Sequence, residues 1–120
     1  MPARYATPAT LEGAISRTAE LCAQTDTAHL RQGLIVSGDW FVDTKEKMRA
    51  ILTLFPEATA VDMESCSIAQ TCHVYGVPFV SMRVISDVPL RDNKAAQYFD
   101  FWDRLADESF GVTRTFLEQL

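Results

Sequence analysis

The chain has 120 residues, of which 48% are hydrophobic and 22% are charged, and its net charge is −5 at pH 7. This composition indicates one soluble globular domain, or part of one, over residues 1–120 and argues against a long disordered segment. The acidic balance argues against nucleic acids and anionic membranes as partners, and no apolar run has the length of a membrane span or the pattern of a signal peptide.

The N-terminal third of the chain contains one predicted helix and one predicted strand. Thr10 is the expected cap of a helix that ends near Ala23, because apolar residues recur between them at helical spacing. After a polar loop, Gly33–Val42 has the apolar centre of a strand.

The middle third repeats this alternation. Asp43 followed by Glu46 has the pattern of a capping box and predicts the start of a second helix. Thr59–Met63 is predicted as a strand and Glu64–Tyr75 as a helix, which Gly76 ends in the left-handed conformation.

The C-terminal third contains the most apolar segment. Pro78–Ile85 is almost wholly apolar, which is typical of a strand that is covered on both faces. Asp100–Leu120 is predicted as a long helix with an apolar stripe. The alternation of strands and helices indicates α/β architecture, in which the predicted strands form a helix-covered sheet and the last helix packs on one face.

Two carboxylates follow predicted strands, at the edge of the sheet where open α/β proteins bind their ligands. Glu64 follows Thr59–Met63, and Asp87 follows Pro78–Ile85. Position alone leaves two interpretations open. Each acid is a ligand-binding group, or Glu64 is a first-turn acid favoured by the helix dipole and Asp87 is a residue that opens a turn.

Ser37–Phe41 is a third cluster of interest. Gly38 permits close approach of the backbone, and the two aromatic rings, Trp40 and Phe41, suit either stacking on a flat ligand or packing in the core. The cluster lacks the Gly-Lys-Ser/Thr sequence of a phosphate-binding loop.

The cysteines argue against a metal site and indicate a reducing compartment. Cys22, Cys66 and Cys72 are odd in number and lack the spacing of a metal knuckle, and no second Cys-His pair accompanies Cys72 and His73. We therefore expect packed, reduced thiols in a cytoplasmic protein.

Three blocks of this sequence resemble consecutive blocks of the 5'-methylthioadenosine/S-adenosylhomocysteine nucleosidases, in the family's order and with similar separations. The blocks are Gly33–Val42, Ala60–Ser65 and Val77–Val88, and Tyr98–Asp100 at the start of the last predicted helix is similar as well. The resemblance implies a three-layer α/β/α sandwich with a central mixed β-sheet (phosphorylase/hydrolase-like), of which this chain is a C-terminal portion. It also implies hydrolysis of the N-glycosidic bond of the nucleoside, which releases adenine and the 5-thioribose derivative in methionine salvage.

The same resemblance implies roles around the purine. Asp87 is the expected acid that protonates N7, because a purine leaves poorly as an anion, and Ser86 orients that acid. Such an acid must keep its proton near neutral pH, which requires desolvation. Phe41 stacks on the purine, and the backbone of Val42 contacts its edge.

Further roles are implied around the sugar. Glu64 accepts hydrogen bonds from the vicinal ribose hydroxyls, a task suited to an ionised carboxylate. Met63 packs on the ribose, and Phe99 closes over the sugar side. Arg83 either supports the substrate site from behind or is a paired buried charge.

The resemblance has consequences for completeness and assembly. The family's water-activating glutamate lies in the half that precedes this chain, and Glu12 is no substitute because it lies in the first turn of a different helix. The chain alone is therefore expected to be catalytically incomplete. We expect no cofactor and no metal. The family works as a homodimer in which a mid-protein loop, here Met1–Pro8, contributes to the neighbour's pocket, so we expect a homodimer that binds a small-molecule purine nucleoside.

Two alternatives stay open at the level of sequence. One is another purine nucleoside phosphorylase or hydrolase of the same superfamily. The other is a non-catalytic nucleoside-binding fragment, for which ligand binding without turnover is the mark. The sequence also leaves the preferred 5' substituent open.

Overall fold

The computed structural model describes residues 1–26, 28–85, 90 and 109–120. Within these residues, the helices and strands are α1 (Ala9–Gln24), β1 (Leu34–Ser37), α2 (Lys45–Leu54), β2 (Ala58–Asp62) and α3 (Ser65–Tyr75), and residues 109–118 are also helical. Strands alternate with helices, as the sequence predicted. No helix in the described ranges has both the length and the apolar character needed to cross a membrane.

The two strands form a parallel pair whose carboxyl ends meet at one edge. Leu34 is opposite Ala58 and Ser37 is opposite Asp62, with a shift of register just after Leu34. Parallel strands need a crossover connection, which α2 provides. The backbone N–H of Gly38 also donates to the carbonyl of Asp62 across 3.2 Å. The last residues of both strands, Ser37 and Asp62, are thus held side by side.

A close contact near the beginning of the two strands explains why residue 33 is a glycine. A Cβ added to Gly33 would lie 2.6 Å from the Cβ of Thr59, a separation that real side chains do not tolerate. A Cβ added to Gly38 would meet nothing within 4 Å. The close contact is therefore at Gly33, where the side chain of Thr59 lies against the backbone, and not at Gly38.

The structure corrects both predicted helix caps. The residue before α1 is Pro8, which makes no side-chain capping bond, and Thr10 lies inside the helix. The cap of α2 is Thr44, whose Oγ1 accepts from the backbone N–H of Lys47 across 3.2 Å. Asp43 was the expected cap, but its carboxylate instead pairs with Lys47 Nζ at 2.8 Å. Two partners compete for the Asp43 carboxylate, the backbone N–H groups of the first turn and the Lys47 side chain four residues later, and it pairs with Lys47.

Two of the three predicted strands are found, with bounds that differ from the predicted ones. The segment predicted as Gly33–Val42 is a strand only over Leu34–Ser37, and Thr59–Met63 is replaced by Ala58–Asp62. The first strand is shorter than predicted because the ladder ends at Asp62, where its neighbour ends, whereas the second has the predicted length and begins one residue earlier. The predicted end of α3 is confirmed, because Gly76 has φ 67° and ψ 29°.

The predicted strand Pro78–Ile85 is wrong. Residues 77–85 have no strand assignment, and Val77, Val84 and Ile85 are about half exposed, at 53%, 44% and 53%. An apolar sequence favours burial, but a strand also requires hydrogen bonds to a neighbouring strand. The local sequence encodes only the preference for burial. Residues 79–81 are half-buried and line a cavity of about 210 Å³ together with β1 and α3.

The predicted last helix is described only in part. Residues 100–108 lie outside the described residues, and the helix is seen over residues 109–118, two residues short of the predicted end at Leu120. Its Phe116 is buried. Among the described residues, the other buried apolar side chains come from the three preceding helices: Ile15, Cys22, Ile51 and Ala69. All three cysteines are free thiols, as their odd number predicted.

Candidate functional site

The carboxyl end of β2 places Asp62 at the centre of a hydrogen-bond network. Its side chain is 10% exposed. The backbone N–H of Ser65 donates to Asp62 Oδ1 across 3.2 Å, and the Ser65 hydroxyl donates to Oδ2. The turn between β2 and α3 therefore closes on the Asp62 carboxylate, which satisfies a free N–H at the start of the helix.

Further serines connect this carboxylate to the rest of the fold. Ser65 has one hydroxyl proton and uses it on Asp62, so Ser81, whose Oγ lies 2.9 Å away, donates to Ser65. Ser37 accepts from the backbone N–H of Cys66 across 2.9 Å and also bonds the Asp62 side chain. Asp62 thus joins β1, the start of α3 and the segment 77–85 in one network.

Arg83 connects Asp62 to the predicted sugar-binding acid. Its Nε donates to Asp62 Oδ2 across 2.8 Å, and its Nη2 donates to Glu64 Oε2 across 3.1 Å. The three side chains differ in exposure: 10% for Asp62, 38% for Arg83 and 64% for Glu64. The arginine therefore bridges a nearly buried carboxylate and an exposed one. Arg83 is a paired charge, as one of the two sequence interpretations proposed, although it is not buried.

The network sets the charge of Asp62. Burial raises the pKa of Asp62, but the hydrogen bonds from Ser65 and Ser37 and the positive charge of Arg83 act in the opposite direction and prevail. The net pKa of Asp62 is lowered from its ordinary value. Asp62 is therefore ionised at neutral pH and acts as an acceptor and an anchor for Arg83, not as a proton donor.

The loop after β1 presents the predicted purine-binding residues at the same edge of the sheet. Phe41 is 64% exposed and Val42 is half-buried. Lys47 Nζ donates to the Phe41 carbonyl across 3.0 Å and to Asp43 Oδ1 across 2.8 Å, and it lies 5.8 Å from the centroid of the Trp40 ring. Lys47 thus holds the backbone of this loop through the Phe41 carbonyl and lies near the Trp40 ring. The ring of Phe41 stays exposed to solvent.

The predicted site residues divide into three groups. Glu64 and Arg83 are brought into direct contact, and the neighbouring Met63 is 41% exposed. Phe41 and Val42 follow the adjacent strand. Ser86, Asp87 and Phe99 were also predicted, and they lie outside the described residues. Among the described side chains, no group of three or more His, Cys, Asp or Glu residues is arranged to hold a metal ion.

Sequence reasoning missed the residues of the network itself. No role was predicted for Ser37, Asp62, Ser65 and Ser81, yet hydrogen bonds hold all four at the carboxyl edge of the sheet and the start of α3. The sequence does contain a signal for the contact between Asp62 and Ser65. An Asp three residues before a Ser that opens a helix is suited to accept the free N–H of the first turn. Nothing local indicated Ser81.

Comparison with known proteins places this geometry in context. The sequence model of the Phosphorylase superfamily matches residues 2–118. The 5'-methylthioadenosine/S-adenosylhomocysteine nucleosidase of Staphylococcus epidermidis is 38% identical over 121 aligned positions, which cover 100% of this chain and 50% of that protein. The nucleosidase of the same description from Actinobacillus succinogenes is 42% identical over 97 residues, or 79% of this chain and 41% of that protein. The chain spans about half the length of the curated relatives it matches.

The solved structures agree. The Neisseria meningitidis nucleosidase in complex with methylthio-immucillin-A superposes with a TM-score of 0.84 at 37% identity and covers 100% of this chain and 50% of its own. The α/β class and the phosphorylase/hydrolase-like fold expected from the sequence are thereby confirmed.

Proposed function

This chain belongs to the phosphorylase superfamily, and from that membership we propose that it carries the purine- and ribose-binding part of an N-ribosyl hydrolase. The proposed reaction is cleavage of the N-glycosidic bond of 5'-methylthioadenosine or S-adenosylhomocysteine. The similarity to nucleosidases of that description and to a structure solved with methylthio-immucillin-A supports this choice of substrate class.

One observation carries the proposal: an exposed carboxylate is held in place at the carboxyl edge of a parallel sheet. Glu64 follows β2, and one of its oxygens is held by Arg83 at 3.1 Å while the side chain stays 64% exposed. An ionised carboxylate accepts about four hydrogen bonds, so the contact with Arg83 leaves capacity for two vicinal hydroxyls. A ribose diol presents that pair of donors, and this edge of the sheet is where open α/β folds bind ligands.

The remaining roles complete a binding site for an adenosine derivative. Phe41 offers an exposed ring for stacking on the purine, and Val42 supplies backbone groups at the purine edge. Met63 covers the ribose. Phe99 is proposed to close the sugar side. Stacking and diol recognition together distinguish a purine riboside from free ribose and from free adenine.

The chemical step breaks the bond between C1' of the ribose and N9 of the purine. A water oxygen bonds to C1' and gives up one proton to a base, the electron pair of the broken bond leaves with the purine, and a proton is added at N7 so that neutral adenine departs. We propose Asp87 as the source of that proton and Ser86 as the residue that orients it. We assign no residue of this chain to activate the water, so substrate binding is proposed for the chain and turnover for the whole protein.

We also propose a cytoplasmic homodimer. Free thiols at all three cysteines suit a reducing compartment. Apolar side chains on one end of α3 and just beyond it are largely exposed, with Val74 at 66%, Tyr75 at 78% and Val77 at 53%. Exposed apolar side chains of this kind favour association. Sedimentation at micromolar concentration tests the assembly, and a clean monomer would refute it.

The binding proposal is tested by calorimetry on the 120-residue chain. Three ligands are compared: an unreactive 5'-methylthioadenosine analogue, its 2'-deoxy form and free adenine. The riboside is expected to bind most tightly, because only it presents the full diol to Glu64. Equal affinity for the riboside and its 2'-deoxy form would refute the assignment of the sugar site. Adenine release by the whole protein, followed with each nucleoside, tests the reaction and its 5' substituent.

A further inference from the structure

Arg83 is held between two acids, and only one of them is placed to reach a substrate. Resting on the function proposed above, we propose that Asp62 is a positioning residue: it anchors Arg83 so that Arg83 presents the Glu64 carboxylate to the ribose diol. Asp62 itself touches no substrate in this proposal. Its effect on sugar recognition passes through the guanidinium group.

The guanidinium geometry supports this transmission. Arg83 donates from Nε to Asp62 and from Nη2 to Glu64, at 2.8 and 3.1 Å. Because the guanidinium group is planar and rigid, fixing Nε to one acceptor also fixes the direction of the Nη2–H bond. The position of the Glu64 carboxylate is therefore determined in part by the position of Asp62.

Asp62 is suited to be the fixed end of this chain of contacts. It is 10% exposed, whereas Glu64 is 64% exposed. Its oxygens accept from the Ser65 backbone and hydroxyl groups and bond Ser37, so it cannot rotate without breaking contacts to two secondary-structure elements. An exposed glutamate alone would sample many side-chain conformers, and binding would have to restrict them.

The segment that carries Arg83 is anchored at a second point. Ser81 lies two residues before Arg83 and donates to Ser65 across 2.9 Å. The same short segment therefore contacts the start of α3 through Ser65 and the end of β2 through Asp62. Two anchors fix the direction of the backbone from which Arg83 extends, in a segment that has no strand partner within the described residues.

The test separates a positioning role from a purely structural one. Asp62→Asn keeps the shape of the side chain and removes its charge. The readout is the ratio of affinities for a 5'-methylthioadenosine analogue and for its 2'-deoxy form, measured by calorimetry on the whole chain. Because a hydrogen bond to a charged group is worth roughly a tenfold change in binding, we expect the ratio to fall about 10-fold, with affinity for free adenine unchanged. Loss of stability alone would lower all three affinities together.

A second readout follows Arg83 directly. The Nε–H proton resonance of Arg83 is expected to exchange slowly with water in the unmodified chain and to exchange faster in Asp62→Asn, because its acceptor has lost its charge. Asp62→Glu keeps the charge and is expected to retain most of the affinity ratio. Asp26→Asn is the matched control, since the same change in an exposed turn leaves both readouts unaltered.

The outcomes are distinct. An unchanged ratio in Asp62→Asn, or an equal loss in Asp62→Asn and Asp62→Glu, overturns the positioning role while the proposed function stands. If the unmodified chain itself does not prefer the riboside, the proposed function fails and this inference fails with it. Should Asp62→Asn not fold, Ser65→Ala replaces it: this variant keeps the Asp62 charge and removes one donor. A smaller drop of the ratio is then expected, and an unchanged ratio overturns the proposal.

Discussion

Arg83 Nη2 donates to Glu64 Oε2 across 3.1 Å, and this contact joins two residues that lie 19 positions apart in the sequence. Through this contact the nearly buried Asp62 and its partner Arg83 reach an exposed side chain at the carboxyl edge of the sheet. The predictions for the sugar site depend on this contact.

Replacing Glu64 by Gln is expected to weaken binding of ribosides relative to free adenine. The amide keeps the shape of the side chain but loses the charge that strengthens hydrogen bonds from the diol, so the loss should be about 10-fold. Calorimetry with an unreactive nucleoside analogue and with adenine measures the ratio. The exposed Glu46→Gln exchange on α2 is the control, and a Glu64→Gln chain that keeps the full preference for ribosides would exclude Glu64 from sugar recognition.

Replacing Asp87 by Asn is expected to separate turnover from binding. Asn keeps the shape and can hydrogen-bond, but it cannot deliver a proton to N7, and general acid catalysis is worth roughly 100- to 10,000-fold. In the whole protein, steady-state release of adenine should fall by that factor while the affinity for an unreactive analogue stays near its original value. Turnover close to that of the unmodified protein would show that another group protonates the purine.

The features that sequence predicted correctly are local ones. Gly76 ends α3 in the left-handed conformation because glycine alone adopts it without strain, and this preference needs no knowledge of the rest of the fold. The strands that precede Phe41 and Glu64 were also found from a local feature, the short run of apolar residues that each strand contains.

The features that sequence missed depend on distant partners. Ser81 contacts a residue 16 positions away, and Arg83 contacts Asp62 across 21 positions. No local pattern encodes such contacts. The segment Pro78–Ile85 failed as a strand for the same reason, because its composition predicts burial while backbone pairing is decided by which neighbour is present. The cap of α2 was misassigned because Asp43 has a competing partner in Lys47.

Gly33→Ala is expected to destabilise the fold. The added Cβ would stand 2.6 Å from Thr59 Cβ, so the strands must separate or the threonine must move. Overpacking of a core costs about 1–3 kcal/mol in the free energy of unfolding, and we expect about 1 kcal/mol here because Gly33 and Thr59 are both exposed. Urea denaturation measures it, and a midpoint equal to that of the unmodified chain would contradict the close approach.

Two other glycines provide matched controls for that experiment. Gly38→Ala should be close to neutral, because its Cβ would meet nothing within 4 Å. Gly13→Ala lies within α1, where the Cβ also enters open space. It should stabilise the chain by about 0.5–1 kcal/mol, since alanine has the higher helix propensity.

Asp62 is expected to make stability depend on pH in acid. Its pKa is lowered in the folded chain, so the unfolded chain takes up the proton first as the pH falls. The contribution of Asp62 is therefore fully present above the unfolded pKa, near pH 4, and it is lost as the pH falls through the lower folded value. The sign follows from linkage: stability rises with pH wherever the unfolded state binds more protons.

The comparison that isolates this effect is between the unmodified chain and Asp62→Asn, which cannot titrate at that position. Their difference in the free energy of unfolding should be constant from neutral pH down to about pH 5 and should shrink below about pH 4. Urea denaturation at a series of pH values measures it. Asp26→Asn serves as the control for the same exchange at an exposed site, because the Asp26 side chain is 93% exposed and contacts His29 at 3.8 Å. A difference for Asp62→Asn that grew on acidification would mean that the folded chain binds the proton more readily than the unfolded one. Burial of Asp62 would then outweigh the serines and Arg83, and Asp62 would no longer be the charged anchor on which the position of Arg83 depends.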